Sequence, residues 1–146
     1  MHYLIVFISG KVNYPFHNGM KFMLIQQRLI FLVQRHLIDE DIMTITLNIR
    51  NRLGKKWRVN LKTKQVDMLL IHLAMALGRI KRGYVAKALN PDFFSEIERA
   101  VCFTKILKLH QELLTFIPFP IPKEEQSHFI ANIYSLSLAQ PWILTP

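Results

Sequence analysis

Residues 69–83 read LLIHLAMALGRIKRG. Counted with the residues before it, this run places Val66, Leu69, Leu70, Leu73, Leu77 and Ile80 at spacings of three and four. That periodicity predicts a helix with one apolar face. Thr63 is placed to cap it and Asp67 adds a favourable early charge. The helix is expected to reach about Arg82, where Gly83 stops it. His72 interrupts the apolar run, and Arg79 follows seven residues later. Seven residues make nearly two helical turns, so both side chains leave the helix on similar sides. Leu69, Leu73 and Ile80 point more toward the core. His72 is therefore expected at the border of the buried stripe, where a ring nitrogen reaches solvent. Spacing alone leaves two readings open: a histidine used for packing, or a place where a phosphoryl group lands.

The same periodicity extends in both directions. Phe22, Ile25, Leu29, Leu32 and Val33 define an earlier helix from Lys21 to Ile38. Asp39 and Asp41 can cap a second helix that carries Ile42, Ile45 and Ile49 and ends near Leu53 at Gly54. The helix of His72 is the third. After the loop YVAKALN, Asn90 caps a fourth, with Pro91 at its first position. It is expected to run to about Phe116, with Ile97, Val101, Ile106, Leu109 and Leu113 in the core. Pro118, Pro120 and Pro122 then force an extended connection. Lys123, Glu124 and Glu125 open a fifth helix carrying Phe129, Ile130, Ile133 and Leu136, which Pro141 closes. The expected architecture is all-α, a compact five-helix bundle. Residues 20–140 form the domain, 1–19 a loosely attached leader or extension, and 141–146 a C-terminal tail.

Composition narrows the function classes. At 146 residues and 51% hydrophobic, the chain suits one domain with a sizeable core. No segment has the roughly 18 uninterrupted apolar residues of a membrane span, and residues 1–10 lack the basic start of a signal peptide. The lone cysteine, Cys102, permits no internal disulfide, fits a reducing cytosol, and reads as a small core residue. The histidines form no H-x-x-x-H or H-E-x-x-H pattern, so no metal site is expected. His36 and His110 are lone residues on helices. No Gly-rich phosphate loop, nucleophile elbow or catalytic carboxylate pair appears, so neither an enzyme nor a cofactor is expected.

The net charge of +9 favours acidic partners. It is densest in RNRLGKKWRVNLKTK, residues 50–64, which holds seven cations and no acid. Arg50, Arg52, Lys55, Lys56 and Arg58 there are candidate phosphate contacts, and Trp57 a candidate base stacker. The alternative is a solvated connection with Trp57 as a packing anchor. No helix-turn-helix, zinc-finger or aromatic sheet signature accompanies the charge.

LLIHLAMALGRIKRG resembles the first signature of the PTS regulation domain family: a histidine in an L-x-x-H-[LI] context, an arginine seven residues on, and soon a glycine. Here these are His72, Arg79 and Gly83. NPDFFSEI, residues 90–97, resembles the start of that family's fourth helix. IPKEEQSHFIANIYSL, residues 121–136, resembles its last. The resemblance spans about residues 22–138. It implies a bacterial, cytoplasmic five-helix module that senses sugar supply. Its histidines would be phosphorylated by a PTS phosphocarrier or sugar permease component, changing dimer packing and the activity of a regulator of transcription or antitermination. It implies His72 as phosphoryl acceptor and Arg79 as a phosphate-pairing residue. The family's second histidine falls at Asn132, which cannot form a phosphohistidine. His128, one turn earlier, either substitutes or is structural. One copy of the module fits in the chain, so it is expected to act through a partner protein, by self-association, or as part of a larger regulator. Two other readings stand: a nucleic-acid-binding protein using residues 50–64, and a degenerate, non-phosphorylated helical interaction module.

Overall fold

The computed structural model describes residues 24–145, so the expected leader, 1–19, and the start of the first predicted helix lie outside the described residues. Six α-helices follow: α1 (Ile25–Gln34), α2 (Glu40–Lys55), α3 (Lys64–Lys81), α4 (Pro91–Glu98), α5 (Phe103–Leu114) and α6 (Lys123–Ala139). A short 3-10 turn, Pro141–Leu144, closes the described chain. Among the described residues there is no strand.

The expected caps are in place at three helices. Asp39 accepts from Ile42 N at 2.8 Å to start α2, and Thr63 accepts from Val66 N at 3.2 Å to start α3. Asn90 accepts from Asp92 N at 2.8 Å ahead of Pro91. Gly83 takes φ +90° just past the end of α3, the left-handed stop that a glycine supplies without steric cost.

Three boundaries differ from the sequence expectation. α1 ends at Gln34, where His36 adopts φ 59° and the amides of His36 and Leu37 turn back to Val33 O and Leu32 O. That pairing is a Schellman stop with histidine in the glycine position. α2 runs through Gly54 to Lys55. Gly54 serves packing instead, because a Cβ there would meet Leu61 Cδ1 at 2.7 Å. The expected fourth helix is two helices broken at residues 99–102, which makes six helices among the described residues. The break has a packing reason. Ile97 and Ile106 are both fully buried, and the rings of Phe94 and Phe103 meet edge to face at 6.4 Å. Each pair is nine residues apart, about half a turn out of phase on a continuous helix. Only a break brings both members to one side. Val101, expected in the core, lies in the break and is fully exposed. Cys102 precedes α5 and is half-buried against the core.

α3 is the most enclosed helix: ten of its residues, from Val66 to Gly78, are buried. It packs on α1, α2 and α6. The segment set apart as a tail is also packed: Ile143 is buried, Arg58 donates to Trp142 O and Thr145 O, and Trp142 Nε1 donates to Arg58 O.

Candidate functional site

Gln65, His72 and Arg79 are spaced by seven residues along α3. They form one face of the helix. Its two ends are tied to α6: Gln65 Nε2 donates to Ser135 Oγ at 3.2 Å, and Arg79 Nη2 donates to Glu125 Oε1 at 3.2 Å. The start of α3 thus meets the end of α6 and the reverse, an antiparallel pair clamped at both ends. His72 lies midway between the clamps and faces α6.

The ring is not at a solvent border. His72 is 4% exposed, which corrects the expectation of an open ring nitrogen. The cause is the enclosure of α3, whose buried arc is wider than its apolar stripe alone indicates. Burial, and next the positive charge of Arg79, push the His72 pKa down from 6.5 to about 4. The imidazole is therefore neutral at pH 7.

Arg79 is also not waiting free. It pairs with Glu125, which is 1% exposed. Glu125 sits at the centre of a staple. Its Oε2 accepts from Ala86 N at 3.0 Å. Two further bonds lay the α3–α4 loop along the start of α6: Leu89 N to Ser127 Oγ at 2.9 Å, and His128 Nε2 to Lys87 O at 2.6 Å. His128 is half-buried and holds this loop. Asn132 is buried and donates from Nδ2 to His128 O at 2.8 Å. The structure thus ties Arg79, through Glu125 and Ala86, and His128, through Lys87, to neighbouring points of one stapled loop, with His72 beside Arg79 and Asn132 one turn beyond His128 along α6.

The basic stretch is largely committed to the domain itself. Trp57 is buried in the core, as a packing anchor and not an exposed stacking platform. Arg52 Nε lies 2.8 Å and Lys56 Nζ 3.9 Å from Glu112 Oε2. Arg58 reaches the carbonyls of Trp142 and Thr145, and burial raises the Asp67 pKa against the weaker lowering pull of Arg28 and then Arg50. Lys55 is exposed.

Sequence reasoning missed Gln65, although the heptad that links His72 to Arg79 also runs backward to it. It also missed Glu125 as the partner of Arg79, since no local pattern joins residues so far apart. His110, read as a lone histidine, is buried and its Nε2 lies 3.0 Å from Gln126 Oε1.

The PRD domain family profile matches residues 47–136, from mid-α2 to nearly the end of α6. This chain belongs to the PRD domain family and carries one copy of the domain, a regulatory module linked to the sugar phosphotransferase system. An uncharacterized protein of Haemophilus influenzae is 42% identical over 106 residues, 73% of this chain and 85% of that protein. The uncharacterized protein YhfY of Escherichia coli K12 is 27% identical over 114 residues, 78% of this chain and 95% of that protein. No solved structure matches the chain. Among the described residues, no helix is long and apolar enough to cross a membrane.

Proposed function

We propose that this chain is a one-site regulatory module in which His72 accepts a phosphoryl group from a PTS phosphocarrier or sugar permease component. The signal then passes to a partner regulator of transcription or antitermination, or to a second copy of the chain. The observation that carries this reading is the Gln65–His72–Arg79 face, clamped to α6 through a buried carboxylate. The neutral ring carries a nitrogen lone pair at pH 7. That nitrogen attacks the donor's phosphorus. A P–N bond forms at His72, and the donor's bond to phosphorus breaks with its electron pair returning to the donor.

Burial supplies the switch. His72 is only 4% exposed, so transfer requires the helices around it to part. The product carries up to about two negative charges. They repel Glu125 and attract Arg79, whose guanidinium fork suits phosphate oxygens. When Arg79 changes partner, Glu125 loses its counter-charge and the hold on Ala86 weakens. The 84–90 loop then loosens from α6. Such an exchange works on the scale of a few kcal/mol typical of regulatory switches. Asn132 cannot accept phosphate and His128 is engaged with Lys87, which supports one acceptor rather than two.

Incubation with a phosphorylated phosphocarrier, and separately with a phosphorylated permease domain, tests this. An acid-labile mass gain of one phosphoryl is expected, absent in His72→Ala, with faster amide exchange at residues 84–90. No gain with either donor, or a gain that survives His72→Ala, rejects the reading.

A further inference from the structure

A small cavity of about 30 Å³ lies where α2, α3, α5 and α6 meet. Its wall is mostly aliphatic, including Ile49, Leu69, Leu73 and Leu113. Two polar side chains also line it, His110 from α5 and Asn132 from α6. Each is more than nine-tenths buried. His110 Nδ1 and Asn132 Oδ1 have no hydrogen-bond partner among the described residues.

The surrounding bonds settle which roles these two atoms play. Gln126 Nε2 donates to Ile121 O at 2.8 Å, which orients the amide so that its Oε1 faces His110. That oxygen can only accept, so His110 Nε2 carries the ring proton. The neutral ring then has a bare lone pair at Nδ1. Burial, against the weaker opposing effect of the Gln126 bond, lowers the His110 pKa and keeps the ring neutral. Asn132 is oriented in the same way: its Nδ2 is spent on His128 O, leaving Oδ1 as an acceptor. Two acceptors thus line one cavity with no donor between them. Leaving both unpaired in an apolar pocket is costly.

We infer that this cavity is a binding site for a single internal water molecule that donates one hydrogen to His110 Nδ1 and the other to Asn132 Oδ1. Water is the smallest neutral ligand with two donors, and a site of roughly 10–15 Å³ with two to four polar partners holds one. The volume excludes a phosphoryl group, and no cation lines the cavity to receive one. Asn132 stands where the family places a second histidine. The asparagine plays a different part, joining α6 to α5 through the water, directly beneath the α3 segment that carries His72.

The full chain tests this in two ways. Imidazole nitrogen NMR is expected to show His110 as the Nε2–H tautomer with a hydrogen-bonded Nδ1. Water-selective cross-relaxation is expected to show a long-lived water beside the methyls of Leu69 and Leu113. A Nδ1–H tautomer, or no such water, overturns the inference. Thermal unfolding provides an independent arm. Asn132→Leu and His110→Phe should each lower the midpoint by several degrees, and the double variant should regain more than half of the summed loss. Strictly additive losses overturn it. If either variant fails to fold, the spectroscopy on the unmodified chain decides.

Discussion

The α3–α6 interface holds one cation against one carboxylate that is almost fully buried, whereas residues 50–64 hold seven cations and no acid. Charge density would put the functional weight on the second region. Burial puts it on the first. Arg52 and Lys56 meet Glu112, and these side chains keep 40%, 57% and 22% of their exposure, so water competes for much of the charge and the pairing contributes less. Arg79 meets a Glu125 carboxylate that is 1% exposed, and the pairing couples a helix, a loop and a neighbouring histidine. One buried carboxylate constrains more of this molecule than seven cations of which five are exposed.

The sharpest way to break the comparison is to remove each carboxylate. Glu125→Ala is expected to cost about 3–4 kcal/mol, because it strands Arg79 and orphans Ala86 N together. Glu112→Ala serves as its surface counterpart and is expected to cost under about 1 kcal/mol. Urea unfolding reads both, and equal losses would erase the distinction.

The pH profile of stability comes next. The folded-state pKa of His72, about 4, lies below the ordinary 6.5. Above 6.5 the ring is neutral in both states and the folded form is at full stability. As pH falls from 6.5 toward 4, the unfolded chain binds a proton that the folded chain refuses, so stability drops; below 4 the loss levels off. The drop is on the order of 3 kcal/mol from His72 alone. His110, also shifted down by burial, adds in the same direction. Unfolding midpoints between neutral pH and pH 4 should fall steeply in the unmodified chain and more gently in His72→Phe. Identical slopes would show that His72 does not carry the effect.

Two glycines sharpen the contrast at smaller scale. A Cβ on Gly78 would meet Leu37 O, a backbone atom, at 2.1 Å, where α3 crosses the end of α1. Gly78→Ala is expected to cost about 2–3 kcal/mol. At Gly54 the obstacle is the movable end of the Leu61 side chain. There the gain in helix propensity of roughly 1 kcal/mol largely offsets the crowding, and Gly54→Ala should be near neutral. Thermal midpoints distinguish them, and similar losses at both positions would contradict the crossing geometry.

Much of the fold was legible because its cues are local. Thr63 and Asn90 cap as their types predict, Gly83 stops α3, and Pro118 to Pro122 break the chain between α5 and α6. The α4–α5 break was not legible, since 90–116 has a plausible helical period throughout and no proline after Pro91. Only the need to bring Ile97 and Ile106 to one side exposes it. The candidate site divides the same way. Spacing put His72 and Arg79 on one helical face and only the family resemblance implied their roles, while the exposure assigned to His72 was wrong because a hydropathy stripe cannot report how many neighbours enclose a helix.

By itself, then, the order of residues determined the helical class, most caps and stops, and the alignment of Gln65, His72 and Arg79 on one helical face. Those depend on contacts within a few turns of chain. Tertiary structure alone decided that His72 is enclosed and neutral, that Arg79 answers to Glu125, and that His110 and Asn132 share one cavity. Each of these joins residues from separate helices. The free energy of an ionisable or polar group depends on the water excluded around it, and that exclusion exists only once the helices have packed.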